Sequence, residues 1–161
     1  VIDCDMLIAG LHCLDFSQAD LCIEGMRHIS TRSTSEIIKR IKPTWLAMDH
    51  EDRALSSGAC LEASGIFKDS GYGLTEIVLD ASKCGVPQKR KRLFVIGKLD
   101  VRDGFILNEV MCGISKDSIT VRNCLGDSLG SEYYYRHPRN YNRRAIFSID
   151  EPAPTVRGVN R

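Results

Sequence analysis

Residues 84–97 read Cys-Gly-Val-Pro-Gln-Lys-Arg-Lys-Arg-Leu-Phe-Val-Ile-Gly, and the predicted fold is organised around this stretch. Gly85 and Pro87 favour a tight turn, because glycine accepts unusual backbone angles and proline fixes φ. Four consecutive cations follow at 89–92, and the apolar run 93–96 predicts a short buried strand. Cations at this position favour an anion site, since arginine matches phosphate oxygens, although a solvated basic turn is the alternative interpretation.

Upstream of this stretch, the pattern alternates between predicted strands and predicted helices. The runs 4–10, 44–48 and 74–79 predict strands, and the helices between them are marked by a capping box at 33–36 and an end near Lys68. This order predicts a Rossmann-like α/β fold with a mostly parallel sheet and a terminal hairpin, followed by an irregular basic segment. Ligands bind such sheets at the carboxyl ends of the strands.

The C-terminal part of the chain is basic, although the whole chain has a net charge of only +1. Residues 136–161 contain six arginines and two acids. The run 121–125 predicts one helical turn, and the run 133–139 mixes tyrosines with cations, as nucleic-acid surfaces often do. Local packing explains tyrosines in a loop equally well, so both interpretations stay open.

Composition narrows the class of protein. The chain has 161 residues, 43% of them hydrophobic and 27% charged, which suits one globular domain with a core. Its seven cysteines contain no Cys-x-x-Cys pair, and this favours reduced thiols over disulfides or a zinc site. No run is long enough for a membrane span and no signal peptide is recognised, so we expect a cytoplasmic protein without a metal.

Gln88, Arg90 and Arg92 follow Gly-Val-Pro and precede Leu-Phe-Val-Ile-Gly, and in this context they resemble the Gln-x-Arg-x-Arg motif of the cytosine-5 DNA methyltransferases. In an extended segment residues two apart share a face, so these three side chains are expected to point together, away from Lys89 and Lys91. The resemblance implies that Arg90 and Arg92 position a phosphate or the flipped base in catalysis. It also implies that Gln88, Lys89 and Lys91 contact DNA.

A second segment of the resemblance supplies a nucleophile. Residues 10–17, Gly-Leu-His-Cys-Leu-Asp-Phe-Ser, are similar to the family's Gly-Gly-Pro-Pro-Cys-Gln-Asp-Phe-Ser loop. The resemblance implies that Cys13 is the catalytic thiol that adds to carbon six of cytosine. His12 replaces the family's proline and Leu14 its glutamine, and without the proline a fixed φ angle is lost.

A third segment supplies an acid. The family's Glu-Asn-Val tripeptide corresponds here to Asp49, His50 and Glu51. Asp49 is one methylene shorter than the family's glutamate and Glu51 has the matching length, so both remain candidates for the acid near ring nitrogen three. The structural alternative is that residues 49–52 form an acidic helix N-terminus, which the helix dipole favours.

Later segments extend the resemblance to the end of the chain. Residues 120–127 resemble the segment that follows the arginine motif, and the tail 144–158 resembles the ninth conserved motif. We expect residues 1–100 to form part of a methyltransferase catalytic domain. Residues 101–161 are expected to hold the start of the target-recognition region and the ninth-motif segment, with DNA contacts from Arg136, Arg139 and Arg157.

The family's binding turn for S-adenosylmethionine, Phe-x-Gly-x-Gly, is not found, and Gly71-Tyr72-Gly73 follows a predicted helix instead of a strand. We therefore expect S-adenosylmethionine as a co-substrate whose site lies mostly outside this chain, which alone would be inactive. The resemblance implies a fragment or subunit of a DNA cytosine-5 methyltransferase that acts on double-stranded DNA with a complementary half. Its expected location is the cytoplasm or nucleoid of a prokaryote or phage-infected cell. The alternatives are a degenerate relative that only binds DNA or a partner, and an RNA-methylating relative.

Overall fold

The structure is a computed structural model, and it describes residues 4–10, 29–138 and 142–155. The chain divides into two compact units. We call residues 1–79 and 92–111 the sheet unit, and residues 80–91 and 112–161 the ribbon unit. No helix within the described ranges is long and apolar enough to cross a membrane.

The described residues of the sheet unit form four strands, two long helices, one 3-10 turn and most of a third, shorter helix. These elements are β1 (Met6–Gly10), α1 (Ile29–Ile41), β2 (Trp45–Glu51), a 3-10 turn (Asp52–Ser56), α2 (Gly58–Asp69), β3 (Tyr72–Asp80) and, after the two-residue β4 (Gln88–Lys89) of the ribbon unit, β5 (Lys91–Leu99). The spatial order of the sheet is β1–β2–β5–β3. The chain then enters α3 (Leu107–Gly113).

The α/β class is confirmed, and the sheet contains more antiparallel pairing than the pattern predicted. Strand β1 runs parallel to β2, whereas β2 runs antiparallel to β5. The predicted hairpin is present, because β3 and β5 are neighbours and the Ala81 N–H donates to the Arg90 carbonyl at 2.9 Å at its closed end. A parallel pair needs a crossover connection of about a dozen residues or more, and the loop between β3 and β5 is shorter.

Two predicted boundaries near β2 are wrong. Helix α1 begins at Ile29, so the predicted capping box at 33–36 lies inside the helix. Strand β2 continues three residues beyond its predicted end, because residues 49–51 pair with residues 92–94 of β5. The residues 49–52 therefore do not begin α2, whose N-cap is Ser57: its Oγ accepts a hydrogen bond from the Cys60 N–H at 3.2 Å.

The core of the sheet unit lies where both helices cover the sheet. Leu46, Leu93 and Ile38 are fully buried, and Phe67 of α2 is 1% exposed. The strand residues alternate between buried and half-buried positions along β2 and β5, as expected when one face of a sheet packs on helices. This apolar core fixes the register of β2 against β5.

The ribbon unit contains short elements. They are β4, α4 (Val121–Leu125), β6 (Tyr133–Tyr135), β7 (Ile146–Ser148) and β8 (Ala153–Pro154). Strands β6 and β7 pair antiparallel, and β4 and β8 pair parallel. The predicted helical turn at 121–125 is confirmed, and Thr120 and Asn123 form a reciprocal capping box at its start.

Candidate active site

Asp49 and Arg92 form a bidentate ion pair between β2 and β5. Nε and Nη2 of Arg92 donate to the two carboxylate oxygens of Asp49 at 2.7 and 2.8 Å. The Arg92 side chain is 17% exposed and that of Asp49 40%. Bidentate, charge-assisted pairs combine strength with a fixed orientation. Two residues that the sequence assigned to separate motifs therefore meet at one position.

Strand register explains why these residues meet and where Glu51 lies. Arg92 is opposite Glu51, and Asp49 is opposite Phe94. Opposite residues of an antiparallel pair share a face, as do residues two apart on one strand, so Asp49, Glu51 and Arg92 lie on one face. Glu51 is half-buried, and its side chain forms no hydrogen bond with another residue that the structure describes. Both candidate acids are thus on the face of Arg92, and only Asp49 is bound to it.

The strand that leads to Cys13 ends beside Asp49. Gly10 is the last residue of β1 and is the Cα partner of Asp49 in the parallel pair. Cys13 itself lies outside the described residues. The loop at residues 10–17 therefore begins next to the Asp49–Arg92 pair.

The thiol of Cys60 is an unsuitable nucleophile. It is buried in α2, and burial, followed by the charge of Glu76, raises its pKa to about 11. The thiolate is the nucleophilic form of cysteine, so a thiol with this pKa stays inert near neutral pH.

The loop that carries the four cations at 89–92, which we call the basic loop, is held by the segment that resembles the ninth motif. Gln88 and Lys89 of β4 pair with Ala153 and Pro154 of β8, and the Thr155 hydroxyl donates to the Lys89 carbonyl at 2.8 Å. These backbone contacts leave the side chain of Lys89 exposed. The segment that resembles the ninth motif thus fixes the backbone of the loop.

The loop is not one uninterrupted strand. Gln88 is half-buried in β4, whereas Arg90 lies between β4 and β5 and is exposed. Lys91 begins β5 and is also exposed, and Arg92 is half-buried. The prediction that Gln88, Arg90 and Arg92 share one face of a continuous extended segment therefore does not hold over the whole segment.

Asp80 anchors the start of this loop, and the sequence analysis missed it. Its Oδ1 accepts hydrogen bonds from the N–H and Oγ of Ser82 at 3.1 and 2.9 Å and from the Arg90 N–H at 3.3 Å. Ser82 is buried. An aspartate directly before a short helical turn is a recognisable N-cap signal, and Asp80-Ala-Ser carried it. Asp80 thus positions the backbone of Arg90.

The remaining predicted DNA contacts are only partly described. Arg136 follows β6 and is half-buried, and its N–H donates to the Ala145 carbonyl at 2.8 Å. Arg139 and Arg157 lie outside the described residues. Among the described residues, no three histidine, cysteine or acidic side chains are grouped as a metal site would require.

The Gly-x-Gly segment at residues 71–73 does not form a cradle for S-adenosylmethionine. A Cβ atom at Gly73 would lie 2.2 Å from the carbonyl oxygen of Val101 and 2.6 Å from that of Arg102. Glycine at this position permits close packing of the chain on itself. The Gly-x-Gly segment at residues 71–73 therefore leaves no room for the methyl donor at Gly73.

Comparisons with known sequences identify the family. The family model for C-5 cytosine-specific DNA methylase matches residues 1–148. The chain is 47% identical over 163 residues to Type II methyltransferase M.HindV of Haemophilus influenzae. This match covers 98% of this chain and 52% of that relative. It is 46% identical over 158 residues to Type II methyltransferase M.HgiDI of Herpetosiphon aurantiacus, with 98% and 51% covered. The chain thus spans about half the length of the curated relatives it matches.

A comparison with solved structures concerns the fold alone. The chain is similar to the S. pombe Dnmt2 methyltransferase with a TM-score of 0.58 and 15% sequence identity. The match covers 74% of this chain and 38% of that one. The architecture of the described residues is therefore that of part of a methyltransferase fold.

Proposed function

The chain belongs to the C-5 cytosine-specific DNA methylase family, and we propose that it is a fragment or subunit of a DNA cytosine-5 methyltransferase. The whole enzyme would transfer a methyl group from S-adenosylmethionine to cytosine in double-stranded DNA. One observation carries this proposal: the Asp49–Arg92 ion pair lies beside Gly10, where the Cys13 loop begins.

The proposed nucleophile is Cys13. It follows Gly10 by three positions in the sequence, and Gly10 is the partner of Asp49 in the parallel pair of β1 and β2. Addition of the thiolate to carbon six of cytosine forms a C–S bond and makes carbon five nucleophilic toward a methyl group. Extrusion of the base from the duplex is required first, because the stacked base is inaccessible.

Asp49 is the first candidate for the acid near ring nitrogen three, and Glu51 is the second. Arg92 orients the Asp49 carboxylate through two hydrogen bonds, which favours Asp49, because catalytic groups need a fixed geometry. Glu51 has the longer side chain on the same face. We assign Arg92 to the orientation of this carboxylate and of the flipped base.

The basic loop is the proposed phosphate contact. Lys89, Arg90 and Lys91 are exposed, and Asp80 and β8 hold their backbone, so these cations are presented on a fixed loop. The other proposed DNA contacts are Gln88, Arg136, Arg139 and Arg157. Each cation that neutralises a phosphate makes binding more sensitive to salt, because counterions are released.

A complementary methyltransferase half is the proposed partner. The chain spans about half the length of its relatives, and its Gly-x-Gly segment at residues 71–73 packs against the carbonyls of Val101 and Arg102 instead of opening as a donor-binding turn. We assign residues 1–100 to part of the catalytic domain and 101–161 to the start of target recognition and the ninth-motif segment. The donor site would lie mostly on the complementary half. The protein would act in the cytoplasm or nucleoid of a prokaryote or phage-infected cell.

The second candidate function is binding of DNA or a partner without catalysis. One observation favours it: both carboxylate oxygens of Asp49 already accept hydrogen bonds from Arg92. An acid engaged in this way must exchange partners to reach a base.

Covalent trapping separates the two functions. The chain would be mixed with the half of M.HindV that it does not span, S-adenosylmethionine and a duplex that contains 5-fluorocytosine, and analysed on a denaturing gel. We expect a protein–DNA adduct that is lost in Cys13→Ser and retained in Cys84→Ser, since Cys84 is an exposed thiol used as a matched control. The separate variants Asp49→Asn and Glu51→Gln identify the acid by the larger loss of adduct. Duplex binding without any adduct would establish the second function instead.

A further inference from the structure

The segment before the basic loop is tied to a distant part of the ribbon unit through the side chain of Ser82. Ser82 is 1% exposed, and its Oγ donates to Oδ1 of Asp80 at 2.9 Å. The Oγ atoms of Ser82 and Ser118 are 3.1 Å apart. A carboxylate only accepts hydrogen bonds, so the single hydroxyl proton of Ser82 goes to Asp80, and Ser118 donates to Ser82. The three side chains therefore form one directed series of hydrogen bonds, which we call the serine tether.

Backbone hydrogen bonds extend the serine tether at both ends. The Ile119 N–H donates to the Ser82 carbonyl at 2.7 Å, which holds the same two segments together. At the other end, Oδ1 of Asp80 also accepts the Arg90 N–H at 3.3 Å. The tether thus connects the backbone of Arg90 with Ser118, which is 36 positions from Ser82 in the sequence.

Asp80 contributes an acceptor oxygen to these contacts, and its negative charge is not needed for them. A single atom, Oδ1, accepts from the Ser82 N–H, the Ser82 hydroxyl and the Arg90 N–H. An asparagine side chain offers an acceptor oxygen at the same position without a charge. The charge of Asp80 lies close to the exposed cations of the basic loop, so it opposes the approach of an anion to them. The geometry and the charge of Asp80 therefore have opposite consequences for a phosphate contact.

We propose that Asp80 and Ser82 are positioning residues that hold Arg90 against a phosphate of duplex DNA, an inference that rests on the proposed function. The Arg90 backbone is held on both sides, since its N–H donates to Asp80 and its carbonyl accepts from the Ala81 N–H at 2.9 Å. Its side chain is exposed. A guanidinium binds phosphate oxygens through a planar fork of donors, so the position of its backbone decides whether that fork can reach them. The tether thus acts on DNA through the arginine.

Duplex binding by the whole chain across a salt series tests the serine tether. Fluorescence anisotropy would measure the affinity for a labelled duplex at several salt concentrations. In Asp80→Ala we expect the affinity to fall about fivefold and the salt slope to fall by up to about one, because Arg90 is no longer held at its phosphate. Asp80→Asn keeps the acceptor oxygen and removes the charge, so it should bind at least as tightly as the unsubstituted chain.

The outer end of the tether supplies a milder pair of variants that leaves Asp80 in place. Ser118→Ala removes the hydroxyl that donates to Ser82, and we expect the affinity to fall about twofold. Ser118→Thr retains a hydroxyl and should restore the affinity. Ser128→Ala is the matched control, because Ser128 is an exposed serine of the same unit that donates to the Leu125 carbonyl, and it should leave the affinity unchanged.

A double-mutant cycle distinguishes positioning of Arg90 from general stabilisation of the ribbon unit. Asp80→Ala should lower the affinity of the unsubstituted chain and change little in an Arg90→Ala background, because the positioned side chain is then already absent. A residue that only stabilised the unit would lower the affinity equally in both backgrounds. Circular dichroism of every variant verifies that the fold is retained.

The outcomes separate this inference from the function on which it rests. Unchanged affinity in Asp80→Ala, with weaker binding in Arg90→Ala, overturns the role of the tether and keeps duplex binding. Equal losses in Asp80→Asn and Asp80→Ala also overturn it, because the charge would then matter in place of the acceptor oxygen, and so do additive losses in the cycle. Unchanged affinity in Arg90→Ala overturns both the tether and the phosphate contact of Arg90. A Cys13-dependent adduct formed by that variant would keep the methyltransferase proposal.

Discussion

The sheet unit and the ribbon unit are stabilised by different interactions. Eleven buried residues form one apolar cluster in the sheet unit, with Phe67 and Leu46 near its centre. In the described part of the ribbon unit, Val121 and Ile149 are the buried hydrophobic residues. Its elements are connected instead by Arg122, which binds three carboxylates, and by the Arg144–Glu151 pair.

This difference bears on how rigidly each unit holds its own polar residues. The Asp49–Arg92 pair lies on strands whose other face is the apolar core. The exposed cations Lys89, Arg90 and Lys91 lie in the unit held by ion pairs. Exposed ion pairs are weak and are screened by salt, whereas buried apolar surface is not. We therefore expect a rigid carboxylate pair in the sheet unit and a ribbon unit that opens more readily.

Removal of a core side chain should give the largest effect on stability. Phe67→Ala deletes a ring that is 1% exposed, so we expect the free energy of unfolding to fall by about 3 to 5 kcal/mol. Leu61→Ala is the matched control, since Leu61 lies on the same helix and is 64% exposed, and it should change the value by less than about 0.5 kcal/mol. Urea unfolding measures the free energy of unfolding of both variants. Equal losses would contradict the apolar description of the sheet unit.

Loss of the Arg122 guanidinium should destabilise the ribbon unit alone. Its Nε donates to Asp150 at 2.6 Å and its Nη1 to Asp127 at 2.9 Å. The hydrogen bonds to Asp150 and then to Glu132 keep the pKa of Arg122 above its ordinary value. In Arg122→Gln we expect faster amide hydrogen exchange across residues 121–150 and unchanged exchange in β2 and β5. Lys116→Gln is the control, because Lys116 is an exposed cation of the same unit.

Salt gives an independent version of the same test. Molar salt should raise exchange in residues 121–150 of the unsubstituted chain and add little in Arg122→Gln, because both treatments weaken the same ion pairs. If salt were to act equally on the two proteins, the role assigned to Arg122 would be wrong.

Local patterns predicted the four strands of the sheet unit and one helical turn of the ribbon unit, and long-range pairing decided the rest. The apolar runs identified β1, β2, β3 and β5, and the helical turn at 121–125 was recognised from neighbouring residues. The continuation of β2 to Glu51 depends on pairing with residues 92–94, which are more than 40 positions away in the chain. No local pattern contains that information.

The same limit applies to the site. The arginine motif and the acidic tripeptide identified Arg92 and Asp49 separately, yet their ion pair follows from the register of two strands. The tyrosine run likewise left packing and nucleic-acid contact as open alternatives, because the face of each ring depends on pairing with residues 146–148. Tyr134 packs on Phe147, whereas Tyr133 and Tyr135 are exposed, and nucleic-acid contact by these two stays a prediction.

The smallest expected effects come from pH, and carboxylates of the ribbon unit should respond at its acid end. The pKa of Glu151 is lowered by hydrogen bonds from Arg144 and then from the Ser148 N–H, and that of Asp150 is lowered by Arg122. A carboxyl whose pKa is lower in the folded state contributes stability above its unfolded pKa and loses it as pH falls through the folded pKa. The protection of amides 144–151 from hydrogen exchange, relative to their intrinsic rates at each pH, should therefore fall below about pH 4. Glu151→Gln should remove part of that dependence.

A buried tyrosine of the sheet unit should respond at the alkaline end. Burial raises the pKa of Tyr72 to about 12, and its hydroxyl donates to the Pro43 carbonyl at 2.5 Å. The neutral phenol therefore stabilises the fold below its unfolded pKa of about 10, and this contribution is lost as pH rises through the folded value. Tyr72→Phe should abolish the alkaline loss of stability in the sheet unit. Asp103→Asn should remove an acid loss of stability in the same unit, because hydrogen bonds from the Leu74 N–H and then from Lys68 lower the pKa of Asp103. An alkaline transition that begins in the ribbon unit would show that Tyr72 is not the group that titrates.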